Sequence, residues 1–369
     1  MRLGGKTEKQ SYSLATAPKG TVLPSIFINY RSAIWLKVFN SKVAYPSEMR
    51  ILVTGGAGFI GSHLCERLVK DGHQVTVLDL GSTGRLSNLR EVIDSPHFQL
   101  IEGSILDSGV LKPLFKNADY VFHLAAAVGV FNIVNHPLDS LLTNIRGTEN
   151  VLEAAHASNT PFFLTSSSEV YGKNIANSLK EGDDRILGSP VTLRWSYSEA
   201  KAIDESLAYA YFVEKQLETR IVRFFNTVGP RQLGAYGMVV PRFVEAALSN
   251  KPITIYGDGE QTRCFAHVYD VIDAVVSVAF AENTIGKVIN IGNDNEISIN
   301  DLAKKIIGET GSKSEIVYVP YSEAYGDGFE DMERRVPNID LIKQLVGWTP
   351  QRDLSTIISD ISDDMKKHS

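Results

Sequence analysis

Cysteine is scarce in this chain of 369 residues: only Cys65 and Cys264 occur, far apart and in no ligand spacing. That excludes a disulfide framework and a cysteine-rich metal site, and it points to a reducing compartment, so a cytoplasmic location is expected. Positive charge is not in excess either. With 37 Lys and Arg against 43 Asp and Glu the formal charge is −6, which argues against a nucleic-acid partner held by a basic surface. A small phosphate-bearing ligand stays open, because a few arginines and backbone amides suffice for it. Long apolar runs are missing, so no membrane span is expected. No G-x-x-x-x-G-K-[ST] occurs, which removes support for an ATPase. His63, His123 and His267 have no H-x-x-x-H spacing; they read as structural or surface residues, and no metal is expected. Neither an internal repeat nor a low-complexity tract is found.

What is present is ordinary for a globular chain, with 43% hydrophobic and 22% charged residues. The length exceeds what one core usually serves, so a large domain and a smaller lobe are expected. Residues 1–48 stand apart as a leader. "MRLGGKTEKQSYSLATAPKG" is polar, basic and aperiodic, and "SIFINYRSAIWLKVF" is apolar but broken by Arg31 and Lys37. It lacks the small-residue cleavage site of a secretory signal. It reads as a disordered or misassigned leader before a start at Met49, with an organelle transit peptide and a docked extension as alternatives.

From Met49 the pattern is strand, glycine turn, helix, strand, repeated. "RILVT" (50–54), "QVTVLDL", "FQLIEG", "YVFHLAAA", "PFFLTSSS" and "TRIVRFF" read as six strands, with Ile60, Leu64 and Leu68 marking the first helix and another helix over about 137–158. Strands alternating with crossover-length helices imply an α/β protein of Rossmann type, a doubly wound parallel sheet. Residues 49–225 are assigned to that domain. Beyond residue 226 the pattern loosens. "ITIYGDGEQTRCFAHV", "KVINIG" and "EIVYVP" read as short strands of a smaller C-terminal α/β lobe, and 226–369 is assigned mainly to that substrate lobe.

Gly55, Gly58 and Gly61 lie between the first strand and the first helix. Gly55 and Gly58 would let the backbone approach a pyrophosphate at the helix N-terminus, and Gly61 would let the helix pack closely on the strand. Phe59 and Ile60, within the same loop, are counted with the cofactor site. Asp79 ends the second strand, at the distance expected of an acid that binds a ribose 2′-hydroxyl and repels a 2′-phosphate. The cofactor expected is therefore NAD rather than NADP. In "RWSYSEAK" (194–201), Tyr197 and Lys201 share one face of a helix start. A nearby ammonium is expected to lower the phenol pKa, so that the phenolate takes a proton from an alcohol while the nicotinamide takes the hydride.

These segments, with "VTGGAGFIGSHL", "VFHLAA", "RFFNTVGPRQ" and "IYGDGEQTRCFAHVYD", resemble the extended short-chain dehydrogenase/reductase family, in its NAD-dependent nucleotide-sugar epimerase/dehydratase group. The likeness covers roughly residues 49–360. It implies that Asp79 holds the adenosine ribose and that Leu124, Ala125 and Ala126 line the diphosphate. Ser167, Tyr197 and Lys201 would form the catalytic triad, with the last two also touching cofactor. Asn226, Arg231 and Arg263 would bind the substrate's nucleotide diphosphate. The partner is then a nucleotide sugar, UDP-linked by expectation, and the assembly a homodimer through the two long helices after the fourth and fifth strands. Ser104 departs from the family, which usually has an acid there near the adenine.

"TSSSEVYG" (165–172) sorts the branches. Ser168 and Glu169 before Val-Tyr-Gly resemble the UDP-glucuronate decarboxylases, as do "RWSYSEAK" and "YGDGFEDMERRVPN" (325–338), a late loop that would deliver Arg335 to the sugar. The alternatives are a UDP-hexose or UDP-hexuronate 4-epimerase and, behind it, a dehydratase or reductase. A non-catalytic NAD-binding regulator is the reading from another class, and the Tyr197–Lys201 pair weighs against it. Glu169 itself reads as a base, a sugar anchor or a strand end. Asn144 reads equally as a sheet brace or a ligand contact, and Cys264 as packing.

Overall fold

Alternate residues of the central strands carry apolar side chains to opposite faces, so those strands need helices on both sides of the sheet. The structure, a computed structural model, describes residues 48–82, 84–129, 136–234, 238–321, 323, 332 and 334–368. The leader through residue 47 and most of the 325–333 loop lie outside the described residues.

Strands β1 (Arg50–Thr54), β2 (Gln74–Asp79), β3 (Phe98–Glu102), β4 (Tyr120–His123), β5 (Phe162–Ser167) and β6 (Thr219–Phe224) alternate with helices α1 (Phe59–Lys70), α2 (Ser108–Phe115), α3 (Pro137–Ser158) and α4 (Ser196–Lys215). A two-residue strand β7 (Thr227–Val228) and helix α5 (Val239–Leu248) begin the lobe, followed by β8 (Ile253–Tyr256), β9 (Thr262–Cys264) and β10 (Ala266–His267). Then come α6 (Val268–Ala279), β11 (Val288–Ile291), β12 (Glu296–Ser298), α7 (Ile299–Thr310), β13 (Ile316–Val319), β14 (Arg334–Arg335), α8 (Asp340–Val346) and α9 (Leu354–Lys367).

The main sheet has seven strands in the order β11-β6-β5-β4-β1-β2-β3, and all its pairings are parallel. Ile51 and Val53 face a core built with Leu64, Leu68, Val271, Val275 and Ile342. Their neighbour Leu52 faces the other core, with Leu111, Val151, Leu152 and Ala208. The chain leaves β1 toward β2 on one side and later returns through β4 on the other. That reversal opens a crevice at the carboxyl ends of β1 and β4, where ligands of such sheets bind.

One expectation needs correction. "KVINIG" is not a lobe strand: it forms β11 and pairs with β6 at the edge of the main sheet. The reason is the largely apolar α6 before it, whose Val271, Ile272, Val275 and Val276 form one buried face that packs against the sheet, so the chain passes back from the lobe. The lobe is assembled from what remains, with Phe243, Val244, Ile253, Ile255, Leu302, Ile306, Ile357 and Ile361 as its core. Among the described residues, no helix is long and apolar enough to cross a membrane.

Candidate active site

A cavity of about 710 Å³ runs from the glycine loop across the ends of β4 and β5 into the lobe. At its first end Gly55 has φ +76°, and a Cβ there would stand 2.6 Å from the Ala125 nitrogen. A Cβ on Gly61 would collide with the Gly55 carbonyl. The loop is thus locked between α1 and the start of the segment after β4, and any residue larger than glycine at either position pushes it open. Gly58, Phe59 and Ile60 line the cavity beside them. Asp79 accepts from Ala57 N at 2.9 Å and from Gly81 N at 2.8 Å, so its carboxylate anchors the loop whose far end it faces. Ser104 lines the same end, its hydroxyl accepting from Leu106 N at 3.1 Å. Leu124, Ala125 and Ala126 form the opposite wall. Asn144 braces that wall: it accepts from Ala127 N at 2.7 Å and donates to Ala127 O at 3.2 Å. These residues fit a dinucleotide, with a backbone cradle that excludes Cβ atoms and a carboxylate at the end of β2.

The hydroxyls of the β5 end go to different partners. Thr165 donates to His123 O at 3.0 Å. Ser166 donates to Glu205 beneath the site, and Glu205 is gripped by Arg223 through bonds of 2.9 and 2.7 Å. Ser167 caps the 3-10 turn 168–171, its Oγ accepting from Glu169 N at 3.2 Å.

Glu169 is neither a strand end nor a free base. Arg194 Nη1 donates to its Oε2 at 2.6 Å, and Arg335 Nη2 lies 2.8 Å from its Oε1. Arg335 Nη1 also donates to Ser168 Oγ at 3.3 Å. Both arginines are buried. Burial would raise the Glu169 carboxyl, but the two guanidiniums outweigh it and bring the pKa down to about 2. An acid so strongly ionised accepts protons poorly; what it does is hold two cations side by side, leaving the cluster one positive charge in excess. Arg335 arrives because β14 pairs in parallel with β9, where it stands in register with Arg263. Its neighbour Arg334 points outward to Glu296.

Tyr197 and Lys201 occupy the first turns of α4 and line the cavity. The expected lowering of the phenol pKa is not found. Enclosure by protein raises it, and Glu169 and Asp204 push the same way. Lys201 is drawn elsewhere, donating to Thr165 O at 3.1 Å and standing 3.4 Å from Asp204.

At the lobe end Asn226 donates to Cys264 O at 2.9 Å and Arg263 to Thr262 O at 2.8 Å, and both line the cavity. Arg231 lines it too, but its guanidinium is engaged by Glu66 at 2.6 Å and by Ser62. That pairing ties the loop after β7 to α1. Arg194 and Arg242 were not singled out from sequence. Arg242 sits 4.2 Å over the Tyr256 ring at the cavity wall; a lone cation on the apolar α5 was the available signal. Arg194 opens the "RWSYSEAK" stretch that carries part of the resemblance, but only a tertiary contact reveals Glu169 as its partner.

The three histidines are packed. His123 bridges Thr54 at 2.7 Å and Thr148 at 3.1 Å, and burial pulls its pKa down to about 3. His63 meets Pro230 O at 3.1 Å, and His267 meets Asp360 at 3.1 Å. Among the described residues no group of His, Cys, Asp or Glu could hold a metal ion.

Comparison with known proteins agrees with this geometry. The profile described as "NAD dependent epimerase/dehydratase family" matches residues 51–292. The chain is 41% identical over 304 residues to a UDP-N-acetyl-alpha-D-glucosaminuronate decarboxylase of Bacillus cytotoxicus, covering 82% of this chain and 93% of that protein. It is 39% identical over 303 residues to UDP-glucuronic acid decarboxylase 1 of Xenopus tropicalis, covering 82% and 68%. Among solved structures, a UDP-glucuronic acid 4-epimerase from Bacillus cereus, in complex with UDP-glucuronic acid and NAD, superposes with TM-score 0.79 at 30% identity. The match covers 87% of this chain and all (100%) of that one. With the glycine cradle, the acid ending β2 and the Tyr-Lys pair on one cavity, this chain is an enzyme of the NAD-dependent epimerase/dehydratase family, and its cofactor is NAD.

Proposed function

We propose that the enzyme oxidises a UDP-hexuronate at C4 and releases CO₂ from the 4-keto intermediate. The observation that carries this is the Arg194–Glu169–Arg335 cluster, which lines the same cavity as Tyr197 and Lys201. Its excess positive charge suits a sugar that bears a carboxylate, and two decarboxylases are among the relatives.

NAD, when bound, supplies the hydride acceptor for C4 and carries a positive charge on its oxidised ring. Gly55, Gly58, Phe59, Ile60 and Gly61 would cradle it, with Asp79 at the ribose and Leu124, Ala125 and Ala126 along the diphosphate. Tyr197 takes the C4 hydroxyl proton, with Lys201 supporting the phenolate. The Ser167 oxygen already accepts from Glu169 N, so its own hydrogen is left for the sugar's 4-oxygen. The oxidised sugar is a β-keto acid. Its C5–C6 bond breaks, CO₂ leaves, and the electron pair stays as an enolate across C5 and the C4 oxygen. Arg335 stabilises that charge, and a proton then returns to C5. Ser168 and Glu169 hold Arg335 in place. Asn226 and Arg263 serve the nucleotide end, and Arg231 serves it by fixing the loop.

UDP-glucuronate incubated with enzyme and NAD should yield a UDP-linked pentose or 4-ketopentose, identified by mass. The second reading is a 4-epimerase, favoured by the solved UDP-glucuronic acid 4-epimerase. It requires conversion at unchanged mass, and that outcome on every hexuronate tried would replace the first reading. The Asp79 assignment makes a separate prediction. NAD should bind at least about tenfold tighter than NADP in a direct titration, since the 2′-phosphate would meet a carboxylate. Equal affinities would withdraw the ribose role.

A further inference from the structure

Asp204 has no part in the mechanism above, yet its placement is costly. It is completely buried, at 0% exposure, and its polar support is thin: burial pushes its carboxyl up, and only the Lys201 ammonium and the Thr148 hydroxyl act the other way. The cation paired with it is the Lys201 ammonium, 3.4 Å from Oδ2. A buried carboxylate with so few partners loses its hydration and recovers little stability from one long ion pair and a single hydroxyl. A serine or alanine at this helical position would avoid the cost, so stability alone does not account for it.

The surroundings point to a charge-balancing role. On α4, Lys201 lies one turn before Asp204, and Tyr197 one turn before Lys201. Glu205, next in the chain, is neutralised by Arg223 of β6 at 2.7 Å. From β4, His123 is held between Thr54 and Thr148 and is kept neutral by burial. Beyond Tyr197, Glu169 is saturated by Arg194 and Arg335. Every other carboxylate here is thus matched by an arginine, and Lys201 is left for Asp204. We propose that Asp204 is a positioning residue that acts through Lys201, balancing the ammonium so that Tyr197 gives up its proton only within a set pH range. This rests on Tyr197 as the proton acceptor proposed above. The direction follows from charge: Asp204 opposes ionisation of the phenol, and removing its charge leaves Lys201 to favour the phenolate.

The test is Asp204→Asn, with Asp204→Ser as a second variant that also removes the charge without adding volume. Ionisation of Tyr197 is read in the NAD-bound enzyme by tyrosinate absorbance, with Tyr197→Phe as the blank. It should fall by about one pH unit in both variants, and the acid limb of kcat/KM should move down by the same amount. A lower Tm with an unmoved titration would mean a purely structural role and would overturn the proposal. So would failure of both variants to fold. The titration needs no substrate, so it reads the coupling even if the wild-type enzyme turns over no UDP-hexuronate.

Discussion

Tyr197→Phe should lower kcat by about 10³-fold while leaving NAD affinity and Tm near those of the wild-type enzyme. The phenyl ring fills the same space at the start of α4, so packing is kept; what goes is the oxygen proposed to accept the C4 proton. General bases contribute about 10²–10⁴ in rate, and no other group at the β5 end can substitute. Ser167 is an uncharged hydroxyl, and Glu169 is fully occupied by two guanidiniums. Lys201 already donates to Thr165 O and faces Asp204. Product formation followed by mass, with NAD binding titrated separately, distinguishes the cases. A kcat within about tenfold of wild type would mean that Tyr197 is not the base.

The second large effect concerns the arginine cluster, and it has a catalytic and a structural side. On the proposed mechanism Arg335→Ala removes a cation from beside the developing enolate, which for a preorganised donor costs about 3 kcal/mol, or about 10²-fold in kcat. Substrate affinity should fall less, because the nucleotide end is untouched. Glu169→Gln acts on the fold as well. It leaves Arg194 and Arg335 buried side by side, and breaking a buried ion pair in this way costs about 3–5 kcal/mol. The pH dependence has a definite sign. The folded carboxyl lies at about 2 against an ordinary value of 4.5. Its contribution to stability is therefore complete above the ordinary value and is lost as the pH falls from there toward 2. Denaturant melts of wild type and Glu169→Gln should differ most near neutrality and converge in acid. A gap that stays constant down to pH 3 would show that the ion pairs are not its source.

Both effects involve residues that carry different amounts of information in the chain itself. The Tyr197–Lys201 pair was legible because a helix repeats every 3.6 residues, so a spacing of four puts two side chains on one face. The glycine loop and Asp79 were legible for a similar reason: one strand-helix-strand unit contains them, and its geometry is local. Composition and strand-helix alternation were enough for the doubly wound sheet. The return of the chain to that sheet was not legible, because a short apolar strand such as β11 reads alike in either lobe; only the apolar surface of α6 decides where it must go.

By itself, then, the sequence determined the order of the elements, the glycine cradle with its acid, and the placing of Tyr197 and Lys201 on one helix face, all set by contacts within a few turns of the chain. Tertiary structure alone decided the charges around them. Glu169 lies far along the chain from Arg335, and the two meet only because β14 pairs with β9. Arg231 was expected at the nucleotide and is tied to Glu66 on α1. The phenol of Tyr197 is raised where the Lys201 spacing suggested lowering, because enclosure and two nearby carboxylates act on it. Ionisation depends on burial and on every charge within several ångströms, and those are properties of the packed molecule.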